Sequence, residues 1–127
     1  MKLRTTYNSI RIRVRKSELL TLQKEHRIEE SIRFPSNTTF KFAVEIRENI
    51  EHIQASLDNH NLVLSISRQE AAQWINSNQV GIEANLELED KEQLHVLIEK
   101  DFPCLDRENE DKSDTFWDLA STNPESC

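Results

Sequence analysis

Apolar and polar residues alternate along most of the chain. Ile10, Ile12 and Val14 alternate with Arg11, Arg13 and Arg15, the period-2 signature of a strand with one face in a core. Phe40, Phe42, Val44 and Ile46 repeat that signature, as do Leu62, Leu64 and Ile66. Residues 2–7 alternate weakly, and further strands are expected over 27–34, 50–57, 80–88 and 93–99. Pro35-Ser36-Asn37 and Asp58-Asn59-His60-Asn61 mark turns. Two segments break the alternation. Ser17 can cap a short helix carrying Leu19, Leu20 and Leu22. Ser67-Arg68-Gln69-Glu70 has the form of a capping box and opens a second helix with Ala71, Ala72, Trp74 and Ile75. The only glycine, Gly81, falls inside an expected strand and signals a bulge or a close backbone approach. Left-handed turn positions must then fall to Asn or Asp.

The elements recur in one order. Segments 10–15, 17–25, 27–34 and 39–47, shifted by 52 residues, fall on 62–67, 69–77, 79–86 and 91–99 without a gap. Ile12 lands on Leu64, Leu22 on Trp74 and Phe34 on Leu86, while Val44/Val96 and Ile46/Ile98 are identical. The shared pattern suggests an internal repeat. A βαββ unit used twice predicts an α+β fold: a mainly antiparallel sheet or open barrel with two short helices against it.

At 127 residues the chain has the length of one domain. It divides by composition into a folded part, 1–100, and a tail, 101–127, with eight Asp/Glu against two Lys/Arg. So acidic a segment, poor in apolar groups, is expected to be extended. Net charge is −7, yet residues 1–47 carry 11 Lys/Arg against 5 Asp/Glu and the remainder is strongly acidic. The two halves therefore either face each other or face an oppositely charged partner. An acidic whole argues against nucleic acid as partner. No apolar run reaches membrane-spanning length and the start has no apolar signal core, so a cytoplasmic location is expected, with no membrane contact. The two cysteines, Cys104 and Cys127, form no disulfide framework. His26, His52, His60 and His95 are scattered, which predicts no metal site. No cofactor is implied.

Four groups of residues could carry chemistry. Arg11, Arg13 and Arg15 line one strand face and Lys16 extends the charge. They either grip phosphate or carboxylate groups, or pair across strands with Glu29, Glu45, Glu83, Glu87 or Glu99. Glu83, Asn85 and Glu87 share a face, and would form an enzyme site only by converging with the arginines inside a closed sheet. Cys104 has acidic sequence neighbours, which favours a packed, inert thiol over a nucleophile. In the tail, Phe116, Trp117 and Leu119 form an apolar spot between Asp114 and Asp118. That spot either docks on a partner or folds back onto its own domain. A single glycine excludes Gly-rich phosphate loops, and no zinc-protease or nucleophile-elbow motif is present.

Several segments are similar to a family of small uncharacterised bacterial proteins containing a domain of unknown function. They are the opening Met1-Lys2-Leu3-Arg4, then Asn8-Ser9-Ile10-Arg11-Ile12-Arg13 with Ser17-Glu18, Val80-Gly81-Ile82-Glu83, Ile98 to Leu105, and the acidic ending with Asp111, Asp114 and Phe116. The resemblance covers most of the chain. Where the family places a proline after the phenylalanine, Trp117 stands here. The resemblance implies no activity. A cation row without an accompanying nucleophile or base points to a non-catalytic binding module for a protein or a small anion. The alternatives are an enzyme on a phosphorylated or nucleotide substrate, and an accessory subunit of a larger complex.

Overall fold

The computed structural model describes residues 1–102 and 113–119; the expectations for Cys104 and Cys127 fall outside them. Eight strands run in chain order: β1 Lys2–Thr6, β2 Ser9–Val14, β3 Arg27–Arg33, β4 Thr39–Arg47, β5 Gln54–Asp58, β6 Asn61–Ser67, β7 Gly81–Glu87 and β8 Gln93–Lys100. Helix α1, Lys16–Glu25, follows β2, and helix α2, Arg68–Ile75, follows β6. The class is α+β, as the alternation implies. The strands form two four-stranded sheets, in the orders β1-β2-β8-β7 and β3-β4-β6-β5, with no closed barrel.

Each sheet is two antiparallel hairpins joined by one parallel pairing, β2 with β8 and β4 with β6. The first hairpin of each half thus pairs with the second hairpin of the other. The 52-residue shift also carries β1 (Lys2–Thr6) onto β5 (Gln54–Asp58), so the repeating unit is ββαββ. Segment 50–57 is a strand only from Gln54; before it Ile53 is buried as a core anchor.

Inner faces of both sheets and the buried faces of both helices share one core. Ile12, Val14, Val96 and Ile98 come from the first sheet, and Val44, Leu64 and Ile66 from the second. Leu22 and Trp74, equivalent positions of α1 and α2, are fully enclosed in it. The Trp74 indole donates to Val80 O at 3.0 Å, tying α2 to the residue before β7.

Local chemistry explains the turns and helix starts. Asn8, Asn37, Asn49 and Asn59 hold positive φ, as expected for Asn, and His26, His60 and Lys91 join them. His26 ends α1 in the left-handed region and donates its amide to Leu22 O. At α2 the capping box forms: Glu70 N donates to Ser67 Oγ (3.1 Å) and Ser67 N to Glu70 Oε1 (3.2 Å). Helix α1 differs, because its N-cap is Arg15 and Ser17 lies inside the first turn.

Gly81 marks a close approach, and the regular β7–β8 register runs through it. A Cβ there would stand 2.5 Å from Ile98 O and 2.9 Å from Glu99 Cβ. Backbone cannot give way as a side-chain end can. Gly81→Ala should therefore destabilise the protein by about 1–3 kcal/mol, read as a lower urea midpoint at unchanged slope. A midpoint equal to that of the native chain would disprove the clash.

Candidate functional site

The arginines of β2 stand on the outer face of the first sheet, opposite Ile12 and Val14. They do not stand alone. Arg13 is paired with Glu99 in the β2–β8 register. Glu99 Oε1 accepts from Arg13 Nε at 2.8 Å and also takes the guanidinium of Arg11. Arg13 Nη1 lies 3.8 Å from Asp101 Oδ1, Lys2 Nζ lies 3.1 Å from Asp101 Oδ2, and the Arg13 guanidinium sits 5.0 Å above the Phe102 ring. Arg13, Glu99 and Asp101 are all buried, and such a cluster is tolerable only because the charges are mutually paired.

Arg15 and Lys16 belong to a second cluster, at the start of α1. Asp114 reaches the first turn of the helix. Ser17 N donates to Asp114 Oδ1 (2.7 Å), Ser17 Oγ to Asp114 Oδ2 (2.5 Å), and Arg15 Nη2 lies 3.2 Å from Oδ2. A carboxylate here satisfies helix-start amides and complements the positive end of the helix dipole. Two residues on, Phe116 lies 5.9 Å from Lys16 Nζ and 5.3 Å from Lys100 Nζ.

The described part of the tail therefore packs on the domain. Phe102, Thr115 and Leu119 are buried, and Phe102 and Leu119 form a small cluster with Val80 and Phe116. Trp117 is 65 % exposed. Lys100 is buried and donates to Ser77 O at 2.7 Å. Burial pushes its amine below the usual lysine range, and the nearby Asp118 carboxylate partly offsets this.

Glu83 and Glu87 are exposed on the edge strand β7, two strands from the arginines of β2. Glu83 Oε2 is 3.3 Å from His95 Nε2. These carboxylates lie at the exposed edge, whereas Arg11 and Arg13 are held by Glu99 on the neighbouring strand. Among the described residues no three His, Cys, Asp or Glu groups could together hold a metal ion. No described helix is long and apolar enough to cross a membrane.

A groove of about 640 Å³ opens where the parallel strands β4 and β6 end. The chain leaving β4 runs through residues 48–53 toward β5, while the chain leaving β6 enters α2. Adjacent parallel strands whose connections diverge leave a crevice at their C-terminal ends. Arg47, His52 and Arg68 line it together with Glu48, Glu51, Ile50 and Gln69; Arg68 pairs with Glu48 across it at 3.0 Å and Arg47 Nε lies 3.9 Å from Glu45 Oε1. Arg47, His52 and Arg68 are exposed. The amides of Arg68 and Gln69, in the first turn of α2, have no acceptor among the described residues. Alternation along the strands does not signal this groove, because Arg47, His52 and Arg68 come from a strand end, a loop and a helix start.

No curated protein matches the chain, and no solved structure does. A family model matches residues 1–119, from β1 through the short 3-10 turn Trp117–Leu119. The matched span thus takes in both sheets, both helices and the docked Asp114–Leu119 segment, and the chain belongs to that family, described as a family of unknown function, DUF7009.

Proposed function

We propose that the protein is a non-catalytic binding module that takes an anionic group, of a partner protein or a small ligand, in the groove at the ends of β4 and β6. One observation carries this reading: the groove combines the exposed guanidinium groups of Arg47 and Arg68 with two helix-start amides that have no acceptor among the described residues. Guanidinium forks and helix-start amides are donors suited to carboxylate and phosphate oxygens. Arg11 and Arg13 are the weaker candidates, since an incoming anion would compete with Glu99 and Asp101. The Arg68–Glu48 pair is two-thirds exposed on both sides and is weak enough to be displaced. A bacterial cytoplasm is the location in keeping with this reading, which needs neither nucleic acid, nor a membrane, nor a cofactor.

The test is a thermal-shift titration with inorganic phosphate and with citrate, on the native chain and on the double variant Arg47→Gln/Arg68→Gln. Both arginines are exposed, so the variant should unfold at the native temperature without ligand. The native midpoint should climb with ligand concentration, as linkage requires, and that of the variant should stay flat. Equal shifts in both proteins, or none in either, would overturn the reading.

A further inference from the structure

Strand β3 is an edge of the second sheet, and a free edge is a template for a further strand. Its backbone shows which groups are free. Phe34 N donates to Thr38 O at 2.8 Å, Phe34 O accepts from Asn37 N at 3.2 Å, and His26 O accepts from Ile46 N at 2.9 Å. Even-numbered residues here therefore turn their backbone groups toward β4. These groups alternate in direction along a strand, so those of Glu29, Ser31 and Arg33 point away from the sheet. No other described strand pairs with them, and all three residues are exposed. The even side chains take the inner face. Ile28 is buried there, but Ile32 and Phe34 lie past the end of the core, 44 % and 49 % exposed, with half-buried Phe40 opposite Ile32.

We infer that β3 pairs antiparallel with β3 of a second copy of this chain, about a two-fold axis at Ser31. Charge identifies the occupant. With the two Ser31 residues opposed, Glu29 of each copy meets Arg33 of the other, opposite charges on directly facing positions. These are also the residues whose backbone groups point outward, so the same pairs exchange main-chain hydrogen bonds. On the inner face Phe34 comes opposite Ile28 of the other copy, and the two Ile32 side chains lie diagonally across the axis. Other registers fit worse. Centred on Glu30, the pairing opposes Glu30 to itself and Arg27 to Arg33; centred on Ile32, it sets Pro35, which has no N–H, against Glu29. Within one chain Arg27 is held by Glu45 at 2.7 Å and only loosely by Glu29 at 3.5 Å. Arg33 has no ion partner among the described residues. The other edges lack this match. Lys2 and Arg4 on β1, and Glu83 and Glu87 on β7, repel their own copies, and β5 has Asp58 but no cation. A β3 pair closes on itself, whereas a union of β1 with β7 is open-ended.

The experiment is sedimentation equilibrium of the full chain from micromolar to millimolar concentration. The mean mass should rise from 14.9 kDa toward twice that value. Glu29→Arg and Arg33→Glu, each alone, oppose like charges twice over and should weaken the dimer by about tenfold or more. The double swap Glu29→Arg/Arg33→Glu restores both ion pairs in exchanged places and should return association close to the native level. Both positions are exposed, so at micromolar concentration the variants should unfold near the native temperature. If a charge variant fails to fold, Ser31→Pro replaces it. That change removes an outward N–H that β4 does not use, and it should abolish the dimer. A chain that stays monomeric throughout would overturn the inference, as would a dimer indifferent to these substitutions. A double swap as weak as the single variants would remove the Ser31-centred pairing. Masses climbing past the dimer would assign the association to β1 and β7 and overturn it equally.

Discussion

Replacing Trp74 with alanine should lower the stability of the domain by about 3–5 kcal/mol. Trp74 is fully enclosed between α2 and the sheets, so the vacated volume has no route to solvent. The indole N–H to Val80 O bond is lost as well, and Val80 immediately precedes β7. Against a typical total of about 5–15 kcal/mol, the loss is about a fifth or more of what holds a domain together. The thermal midpoint should fall by about 10–20 °C. Trp74→Phe separates the two contributions. It keeps most of the volume and removes the donor, and should cost about 1–3 kcal/mol. If Trp74→Ala unfolded within a degree or two of the native chain, the single shared core would be wrong.

Glu99→Ala should be nearly as damaging, for an electrostatic reason. Glu99 is buried and carries the guanidinium groups of Arg11 and Arg13 on one oxygen. Its removal leaves Arg13 buried, with Asp101 3.8 Å away and the Phe102 ring 5.0 Å below it, and without its closest described carboxylate. Breaking a buried pair from one side costs about 3–5 kcal/mol, because the surviving charge stays desolvated. The replacement of all three by apolar residues, Arg11→Met/Arg13→Met/Glu99→Leu, should restore part of that loss, since buried Asp101 loses Arg13 but keeps the ammonium of Lys2 at 3.1 Å. Urea unfolding of the two variants makes the comparison. A Glu99→Ala midpoint within about 0.5 kcal/mol of the native value would mean that the cluster is solvated and that its arginines are available to a ligand.

Much of the fold is legible in the alternation, and the reason is physical. A strand that buries one face must alternate, so Ile12, Val14, Leu64 and Ile66 announce both their strands and their inward side. The capping box at Ser67 and Glu70 is likewise local, and it forms as its spacing predicts. The turn asparagines follow from the φ that Asn tolerates. Partner choice is not local. Nothing in Ile10-Arg11-Ile12 specifies β8 as the parallel neighbour, so the exchange of hairpins between halves is invisible to a reading of periods. The tail shows the same limit. Its acidic composition predicts an extended segment, whereas Phe102, Thr115 and Leu119 are buried, because a few apolar anchors and one carboxylate suffice once basic groups and a helix start await them. Asp101 and Asp114 escape notice as counter-ions because they stand far along the chain from the arginines they meet. The groove at Arg47 and Arg68 is hidden too, since it exists only where two parallel strands send their connections apart.

The swapped hairpins leave neither half with a stable piece of its own. Cut between β4 and β5, each part would keep only two-stranded ribbons, which are marginal in water. Ser9 must find His95, 86 positions away, before the first sheet gains its middle. Searching so long a span is entropically demanding and slow. The molecule should consequently assemble late and all at once, with the pairing of β2 and β8 knitting it shut.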